Sequence, residues 1–483
     1  MPRLTTSSLE YLPSNVVAPE YDRSSKTVSH AHIGVGNFHR AHQAVYADDL
    51  LAGGSQKGAI IGFSMRSPRV IDALAPQDLL YSVTEVTRDG LAPRVIGSLR
   101  DTVFVPADPR AAIARLADPS VEMVTITVTE AGYCWSDETR SLDMTLPNVI
   151  HDIQHPTSPR TMPGLLVAAV ARRLAKRRPP LVIIPCDNIV DNGTVTRTLL
   201  TQLAAEQSSS LARSISMDAV VCSTMVDRMV PTITPATVDT VNRSLGAEDE
   251  LPILTEPFRQ WVVQDSAAVR PWEEVGVEIV TETGTHERLK LHVLNGLHSA
   301  FAYLGLRLGH AMISDAVADP RLATRIRRIV DEEIVPSVVA PPGIDPARYA
   351  DSALARFAEP ALGYTTTKVA TDGSLKLQQR VLPTLRTCLE SKRPVDGLAL
   401  VIAAWGWVMF GPDRSALAVA DDRLDRVLGG LPRPLGPGGF TSWAFAKHGL
   451  LGDLAGSSEL RQAMGRQAAR LWREPPHIEI GPD

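Results

Sequence analysis

Residues 26–51, "KTVSHAHIGVGNFHRAHQAVYADDLL", carry the strongest indication of the fold. A strand-like run leads into Gly34 and Gly36, and a helical pattern follows them. Such a β-turn-α unit places exposed backbone N–H groups and the positive end of a helix dipole at the turn, where they can bind a diphosphate. Gly34 permits the tight turn, and Gly36 lets the backbone approach the ligand closely. The stretch therefore predicts the opening of a dinucleotide-binding fold.

This motif is weak on its own, because His39 stands where the G-x-G-x-x-G fingerprint expects a third glycine. A tight turn that binds no ligand is the alternative, and the strand before the turn disfavours it. We expect the cofactor to contact the five residues of the turn, Gly34, Val35, Gly36, Asn37 and Phe38.

The segment after the second apolar strand bears on the choice of cofactor. In dinucleotide-binding folds an acidic residue there binds the ribose hydroxyls. Here residues 62–68, "GFSMRSP", offer Arg66 between two serines and no acid. An arginine at this place can meet a 2′-phosphate, or it can be an ordinary exposed loop residue. We expect NAD as the cofactor, with NADP left open and Arg66 as a candidate contact.

Two domains are expected for 483 residues with this pattern. Apolar strands alternate with helical stretches through the first half, which predicts a mainly parallel sheet covered on both faces. From about Thr283 the pattern changes to long helical periods. We therefore predict an α/β chain with a Rossmann-type dinucleotide-binding domain at residues 1–282 and an all-helical substrate-binding and catalytic domain at residues 283–483.

Composition and motifs indicate which classes of partner and which cellular compartment to expect. A net charge of −5 offers no basic surface for nucleic acid. The start of the chain does not resemble a signal peptide, and the apolar run at residues 398–410 is too short to span a bilayer, so we expect a buried helix there. The cysteines form no C-x-x-C pair, which argues against a zinc cluster or a disulfide framework and favours the cytoplasm. They are Cys134, Cys186, Cys222 and Cys388.

The apolar stretch "RLKLHVLNGLHSA", residues 288–300, holds Lys290, Asn295 and His298, with Glu287 just before it. In one uninterrupted helix these four side chains fall within an arc of about 140°, so they could face one site. Taken singly, Lys290 could be a solvated lysine, His298 a core histidine, and Glu287 with Lys290 a weak ion pair. Together they suit hydride transfer without a metal, since a lysine in a cleft can act as a base and an amide can stabilise an alkoxide.

A second polar cluster, "PCDNIVDNG", ends an apolar strand at residues 185–193. Ligands of open α/β sheets bind beyond the carboxyl ends of strands, so Asn188 could meet the helix residues across a domain cleft. The alternative is an Asx turn or a cap for a helix that begins near Thr194, for which Asp191 is the better candidate.

Collinear blocks between about residues 32 and 380 resemble the polyol-specific long-chain dehydrogenases, a family that includes mannitol 2-dehydrogenase, arabinitol 4-dehydrogenase and fructuronate reductase. The resemblance implies a Rossmann-type domain, a helical domain, a cleft between them and metal-independent hydride transfer. The blocks are "GVGNFHRAHQAVYADDL", "LAPQDLLYSV", "TVTEAGYC", "CDNIVDNG", "TMVDRMVP", "TEPFRQWV", "KLHVLNGLHSAFAYLG" and "DGSLKLQQR".

The resemblance also implies catalytic roles. The family's K-x-x-x-x-N-x-x-H pattern falls on Lys290, Asn295 and His298, as general base, oxyanion donor and substrate-orienting group. Asn188 matches a second oxyanion donor. Glu287 matches a glutamate that passes the proton to solvent.

Substrate contacts follow from the same resemblance. Lys368 and Lys376 match cationic contacts, and Asp227 matches a residue near the substrate. The alternative for Asp227 is an ion pair with Arg228 or another structural partner.

The expected reaction interconverts a polyol and its ketose, with mannitol and fructose as the first pair. Two departures from the family bear on the substrate: Ala131 replaces a frequent lysine, and Leu297 replaces a serine or threonine. A fructuronate or tagaturonate reductase is the rival, in which Lys368, Lys376 or Arg380 would bind the carboxylate. A noncatalytic dinucleotide-binding sensor is the alternative of another class. We expect a monomer or weak homo-oligomer without a membrane or nucleic-acid partner.

Overall fold

The computed structural model describes residues 1–87, 89–136, 138–427, 434–446 and 449–473. The chain separates into two units, Met1–Gly284 and Thr285–Asp483. Strands belong to the first unit, and helices make up the regular structure of the second within the described residues.

The first unit alternates strands with helices. Its strands are β1 (Thr27–Ile33), β2 (Lys57–Ser64), β3 (Tyr81–Thr87), β4 (Gly90–Ile96), β5 (Leu99–Phe104), β6 (Met123–Ile126), β7 (Trp135–Ser136), β8 (Ser141–Leu142), β9 (Val182–Pro185), β10 (Val220–Val221), β11 (Thr224–Asp227), β12 (Ile253–Thr255), β13 (Gln260–Gln264) and β14 (Glu278–Val280). Its helices are α1 (Asn37–Ala41), α2 (Gln43–Ala52), α3 (Arg69–Leu74), α4 (Pro109–Leu116), α5 (Pro147–Gln154), α6 (Met162–Ala175), α7 (Asn192–Gln207), α8 (Ser209–Asp218) and α9 (Pro235–Leu245).

The main sheet has the strand order β10-β9-β6-β1-β2-β5, and every neighbouring pair is parallel. Read from β5, the six strands follow the chain order 3-2-1-4-5-6 of the dinucleotide-binding fold. The order reverses between β1 and β6, and ligands bind in the crevice at such a switch point. The predicted Rossmann-type sheet is confirmed.

Both faces of this sheet are covered, since most residues of its central strands β1, β2, β6 and β9 are buried, including the polar Ser29, His30 and His32. Ile33 and Phe63 pack with α4, α6 and α7 on one face. Ile60 packs with α2 on the other face. Burial on both faces leaves the carboxyl edge of the strands for ligands. The smaller sheets are β11-β13-β14, β12-β3-β4 and β7-β8.

The second unit is helical, as predicted. Its helix α18 is buried along residues 397–410, which confirms the predicted buried helix. No helix among the described residues has the length and apolar character needed to cross a membrane. The helices, the first of which starts at the boundary, are α10 (Gly284–Leu289), α11 (Gly296–Arg307), α12 (Ile313–Ala318), α13 (Pro320–Ile329), α14 (Pro346–Phe357), α15 (Thr366–Ala370), α16 (Gly373–Arg380), α17 (Leu382–Glu390), α18 (Asp396–Phe410), α19 (Arg414–Leu417), α20 (Asp422–Val427), α21 (Pro437–Ala444) and α22 (Ser458–Leu471).

Candidate functional site

The glycine turn lies between β1 and α1, at the switch point of the sheet. Gly34 has φ +99°, and a Cβ atom there would stand 2.0 Å from the carbonyl oxygen of Thr127. Glycine is therefore required at position 34 by both conformation and space. Gly36 has an ordinary φ of −85°, and its nearest neighbour to a Cβ would be 3.9 Å away. The space in front of Gly36 is thus open to a ligand.

The other predicted turn residues lie at the same end of β1. Val35 is buried, Asn37 is exposed and Phe38 is half-buried. The Asn37 Oδ1 atom accepts a hydrogen bond from Arg40 Nη2 at 2.7 Å, and Phe38 stacks on His42 at 5.0 Å between ring centroids. These contacts fit a dinucleotide cradle in which backbone groups bind the diphosphate.

Two buried imidazoles support the turn, and sequence reasoning missed this role. His39, at the third-glycine position, stacks on His32 with ring centroids 3.4 Å apart. His32 Nε2 lies 2.9 Å from both the Gly34 carbonyl oxygen and Thr127 Oγ1. Burial lowers the pKa of both histidines well below the usual range, so they are neutral at pH 7. The H-x-H spacing before the turn was the available signal.

Thr129, just beyond β6, has a backbone conformation that is rare for its side chain. Its φ of +68° and ψ of 163° lie in a region that is essentially restricted to glycine, at a cost of about 1–3 kcal/mol. The Asp187 carboxylate accepts hydrogen bonds from the N–H groups of Val128, at 2.9 Å, and Thr129, at 3.0 Å. Burial raises the pKa of Asp187 to about 6. Sequence reasoning singled out Asn188 and missed its neighbour, although an aspartate directly after a strand was visible.

Asn188 is exposed beyond β9, next to Asp187. Helix α7 begins at Asn192, and Asp191, which precedes it at φ +53°, makes no side-chain capping bond. Asp191 therefore lies at the predicted N-cap position but does not cap the helix with its side chain. The role of Asn188 stays a prediction.

Asp227 is buried at the end of β11, in one of the smaller sheets. The alternative ion pair with Arg228 is wrong. Arg228 pairs with Glu85 at 2.5 Å and donates to the carbonyl oxygens of Ala41 and Glu256 instead. The Arg228 side chain thus serves the packing of the unit, while the role of Asp227 near a substrate stays a prediction.

Arg66 lines a cavity of about 240 Å³ near the carboxyl ends of β2 and β6. Met65 and Val128 contribute apolar walls, and Arg160 contributes a second cation. The lining residues include no carboxylate, and Ala131 is among them. This cavity fits the ribose end of a dinucleotide, because the residue after the second strand meets the ribose in this fold.

The helix around Lys290 differs from the predicted one. It runs through α10, a π-helical turn at Lys290–Asn295, and α11. Hydrogen bonds in a π turn span five residues rather than four, so each residue turns by less than 100°. The predicted angles, which assumed one uninterrupted α-helix, are therefore wrong. Such turns are rare and frequent at functional sites.

The polar residues of this stretch differ in how far their side chains are buried. Lys290 is 7% exposed, which excludes the interpretation of a solvated lysine. Glu287, Asn295 and His298 are half-buried. An amine, an amide and an imidazole thus lie along one short, mostly apolar segment.

His298 is held between aromatic rings. It stacks on Phe357 at 4.6 Å and meets the edge of Tyr364 at 5.7 Å. Burial, followed by the charges of Arg380, Lys376 and Arg356, lowers the pKa of His298 to about 3. The ring is therefore neutral and can donate one hydrogen bond and accept another.

Helix α16 brings cations to this segment. Arg380 Nη1 donates to Ser299 Oγ at 3.1 Å and lies 3.5 Å from the Asn295 carbonyl oxygen. Lys376 Nζ donates to the Val369 carbonyl oxygen at 3.0 Å. Burial and the charge of Arg380 lower the pKa of Lys376 to about 8.

Of the two predicted cationic contacts, Lys376 is half-buried and Lys368 is exposed in α15. The charge of Lys368 nevertheless acts on Lys376 and lowers its pKa. The structure therefore brings Lys376 and Arg380 towards His298, with Lys368 at the exposed side of the group.

Comparison with known proteins gives the same division of the chain. Residues 29–274 match the family model described as the mannitol dehydrogenase Rossmann domain. Residues 284–429 match the mannitol dehydrogenase C-terminal domain.

Individual relatives cover most of the chain. A polyol:NADP oxidoreductase of Gluconobacter oxydans is 34% identical and covers 85% of this chain and 86% of its own. Pseudomonas fluorescens mannitol 2-dehydrogenase, solved as a ternary complex with NAD and D-mannitol, is 31% identical with a TM-score of 0.82, covering 97% of this chain and 96% of its own. A D-sorbitol dehydrogenase, solved in substrate-free form, is 31% identical with a TM-score of 0.84. The match covers 96% of this chain and 97% of the D-sorbitol dehydrogenase chain.

Proposed function

The chain belongs to the mannitol dehydrogenase family, and on that premise we propose that it interconverts a polyol and its ketose by hydride transfer with a nicotinamide dinucleotide. Mannitol and fructose are the first candidate pair, and NAD is the first candidate cofactor, as in the related mannitol complex. The observation that carries the proposal is the buried Lys290 in a π turn that also holds Asn295, with His298 close behind.

Lys290 is the proposed general base. A nicotinamide dinucleotide held at the glycine turn would supply the hydride acceptor for substrate C2, or the hydride donor in the reverse direction. An amine in a poorly solvated position can be neutral and accept the hydroxyl proton as the carbonyl forms. In the reverse direction the ammonium returns that proton to the ketose oxygen. Glu287, half-buried three residues earlier, is proposed to pass the proton to solvent.

The amide side chains of Asn295 and Asn188 are the proposed donors to the alkoxide-like oxygen. An N–H group aimed at the oxygen stabilises charge that develops only in the transition state. Neutral His298 is proposed to orient the substrate, since its ring can bond a hydroxyl in either sense. Asp227, Lys368 and Lys376 are the proposed further substrate contacts.

A second candidate substrate is a keto-uronate, as in fructuronate or tagaturonate reduction. The observation that favours it is the group of cations around His298, formed by Arg356, Lys376 and Arg380. Arginine and lysine bind carboxylates through charge-assisted hydrogen bonds. The same cations suit the hydroxyl groups of a neutral polyol as hydrogen-bond donors, so the substrate panel must contain both classes.

We also propose that the protein acts in the cytoplasm, as a monomer or weak homo-oligomer, without a membrane or nucleic-acid partner. The net charge of −5 and the absence of paired cysteine motifs support this. A noncatalytic dinucleotide-binding sensor is the alternative of another class, which requires no base at position 290.

The first experiment follows absorbance at 340 nm with NADH and NADPH against fructose, fructuronate, tagaturonate and xylulose. We expect Lys290→Ala to lower kcat by about 10²–10⁴-fold, the usual contribution of a general base, with dinucleotide affinity retained. The control is Lys57→Ala, an exposed lysine at the start of β2 that pairs with Glu122.

Turnover that survives Lys290→Ala would contradict the proposed mechanism. Dinucleotide binding without turnover on any member of an extended panel would favour the sensor. Turnover confined to the uronates would replace the mannitol assignment with the second candidate.

A further inference from the structure

The strained residue Thr129 lies where a dinucleotide-binding sheet receives its ligand. It follows β6 by three residues, at the side of the switch point opposite to the glycine turn. A β-branched residue rarely takes a φ of +68° with an extended ψ. Such conformations persist only where the surroundings hold them, and they cluster at functional sites.

What holds this residue is the carboxylate of Asp187, 58 positions further along the chain. One oxygen accepts the Val128 N–H at 2.9 Å, and the other accepts the Thr129 N–H at 3.0 Å. Both oxygens are thus used on two consecutive backbone groups. We call this arrangement, Asp187 with the N–H groups of residues 128 and 129, the Asp187 clamp.

The clamped segment touches the glycine turn directly. Thr127 Oγ1 donates to the Gly34 carbonyl oxygen at 2.9 Å. The Thr127 carbonyl and a methyl group of Val128 fill the space where a side chain at position 34 would stand, at 2.0 and 3.2 Å. The Thr127 backbone and the Val128 side chain therefore form the wall against which Gly34 closes, and the N–H group of Val128 is one of the two that Asp187 binds.

We propose that Asp187 is a positioning residue: its charged carboxylate holds Thr129 in the strained conformation, so that residues 127–129 keep the glycine turn in the form that binds a dinucleotide. Because it concerns the dinucleotide site, this inference rests on the proposed function. Loss of the charge lets the segment relax away from Gly34, and dinucleotide affinity falls.

The groups that face Asp187 define how pH acts on the clamp. Glu130 and Tyr133 face it from the turn after β6, and Cys186 precedes it in the chain. Burial and the charge of Glu130 raise the pKa of Asp187 to about 6, against the two N–H groups, which lower it. The carboxylate is therefore charged at pH 8 and protonated at pH 5, and affinity must fall between them.

The test is a fluorescence titration with NADH from pH 5 to pH 8, using the full chain. The proteins are wild type, Asp187→Asn, Thr129→Gly and the double variant. Asp187→Asn should weaken NADH binding about tenfold at pH 8, because a charge-assisted hydrogen bond is roughly twice as strong as a neutral one. It should also remove the loss of affinity towards pH 5.

Glycine at position 129 adopts the same backbone conformation without strain, so it should uncouple the two positions. In the Thr129→Gly background, Asp187→Asn should cost less than about twofold, because no strained residue remains to be held. Melting temperatures of the same four proteins give a second readout without dinucleotide. Asp187→Asn should lower the melting temperature less with threonine than with glycine at position 129, because relaxation of the strained threonine offsets part of the lost stabilisation.

The matched control is Asp152→Asn. Asp152 is buried and also accepts hydrogen bonds from two backbone N–H groups, those of Arg160 at 2.7 Å and Thr161 at 2.9 Å, but neither donor residue has a positive φ. Its loss should lower the melting temperature and leave the pH dependence of NADH affinity in place.

The proposal would be overturned if Asp187→Asn weakened NADH binding equally with threonine and with glycine at position 129. An NADH affinity that Asp187→Asn leaves unchanged would also overturn it. If Asp187→Asn does not fold, the comparison of wild type with Thr129→Gly decides: equal losses of affinity towards pH 5 overturn the clamp. Failure of the wild type to bind NADH or NADPH at any pH would instead contradict the proposed function, while the melting cycle still reports on the clamp.

Discussion

The glycine turn and the Lys290 segment are both polar places in apolar surroundings, but they are built in opposite ways. At the turn the useful groups are backbone N–H groups, so the decisive residue, Gly34, is the one without a side chain. In the Lys290 segment the useful groups are side chains, and the helix changes to a π turn where they occur. The glycine turn therefore depends on the room left by a missing side chain, whereas the Lys290 segment depends on helix geometry and charge.

The two regions also differ in the charges that surround their histidines. Beneath the turn, His32 and His39 are stacked and kept neutral by burial. Around His298, cations from α14 and α16 add to burial. A dinucleotide brings its own negative charge to backbone dipoles, whereas a sugar must be held by side-chain donors.

The largest effect should follow from Gly34→Ala, which tests whether the turn depends on space. The positive φ alone costs about 1–3 kcal/mol for alanine, and the contact with the Thr127 carbonyl adds to it. We expect a large fall in melting temperature and loss of NADH binding. Gly36→Ala is the control, since its Cβ meets only an atom 3.9 Å away. Equal melting temperatures for the two variants would contradict the spatial account of the turn.

The next effect concerns Glu333, in the second π turn, Val330–Ile334. Its carboxylate accepts the N–H groups of Gly397 at 2.6 Å and Leu398 at 2.8 Å, at the start of α18. Burial raises the pKa of Glu333 to about 7. Its contribution to stability is therefore complete below the unfolded pKa of about 4.5 and is lost as pH rises through 7, by roughly 3 kcal/mol.

Glu333→Gln should remove this loss of stability with rising pH. The melting temperature of the wild type should therefore fall relative to that of the variant between pH 4.5 and pH 8. Glu332→Gln is the control, because Glu332 is only half-buried and pairs with Arg328. A wild-type slope that persists in Glu333→Gln would mean that this π turn is not the origin of the pH dependence. The result would separate a π turn that caps a helix from the one around Lys290.

The smallest effect should come from Arg66→Ala. A charge-assisted hydrogen bond to a 2′-phosphate is worth about 1.5–3 kcal/mol, so we expect NADPH to bind about tenfold more weakly or worse, with NADH unchanged. Arg69→Ala, an exposed arginine in the adjoining α3, is the control. Titration of each protein with NADH and with NADPH measures the ratio of the two affinities. Equal losses for NADH and NADPH would mean that Arg66 does not select the phosphate.

Sequence reasoning went furthest where a pattern is local. The apolar strands and the glycine turn predicted the parallel sheet, and the change of period near Thr283 predicted the helical second half. It failed at the Lys290 helix, because the same residues satisfy an α-helix and a π turn. The alternative that paired Asp227 with Arg228 was also wrong, because the carboxylate that Arg228 binds, Glu85, lies 143 positions away.

The fold class, the position of the glycine turn and the family could be predicted from the sequence, because hydrophobic periodicity, glycine positions and motif order are properties of residues close together in the chain. The folded structure was needed to show that His32 and His39 stack beneath the turn, that Lys290 is buried in a π turn, and that Asp187 binds the N–H group of Thr129. Burial, hydrogen-bond partners and backbone strain depend on which distant segments of the chain meet, and those segments come together only when the chain folds.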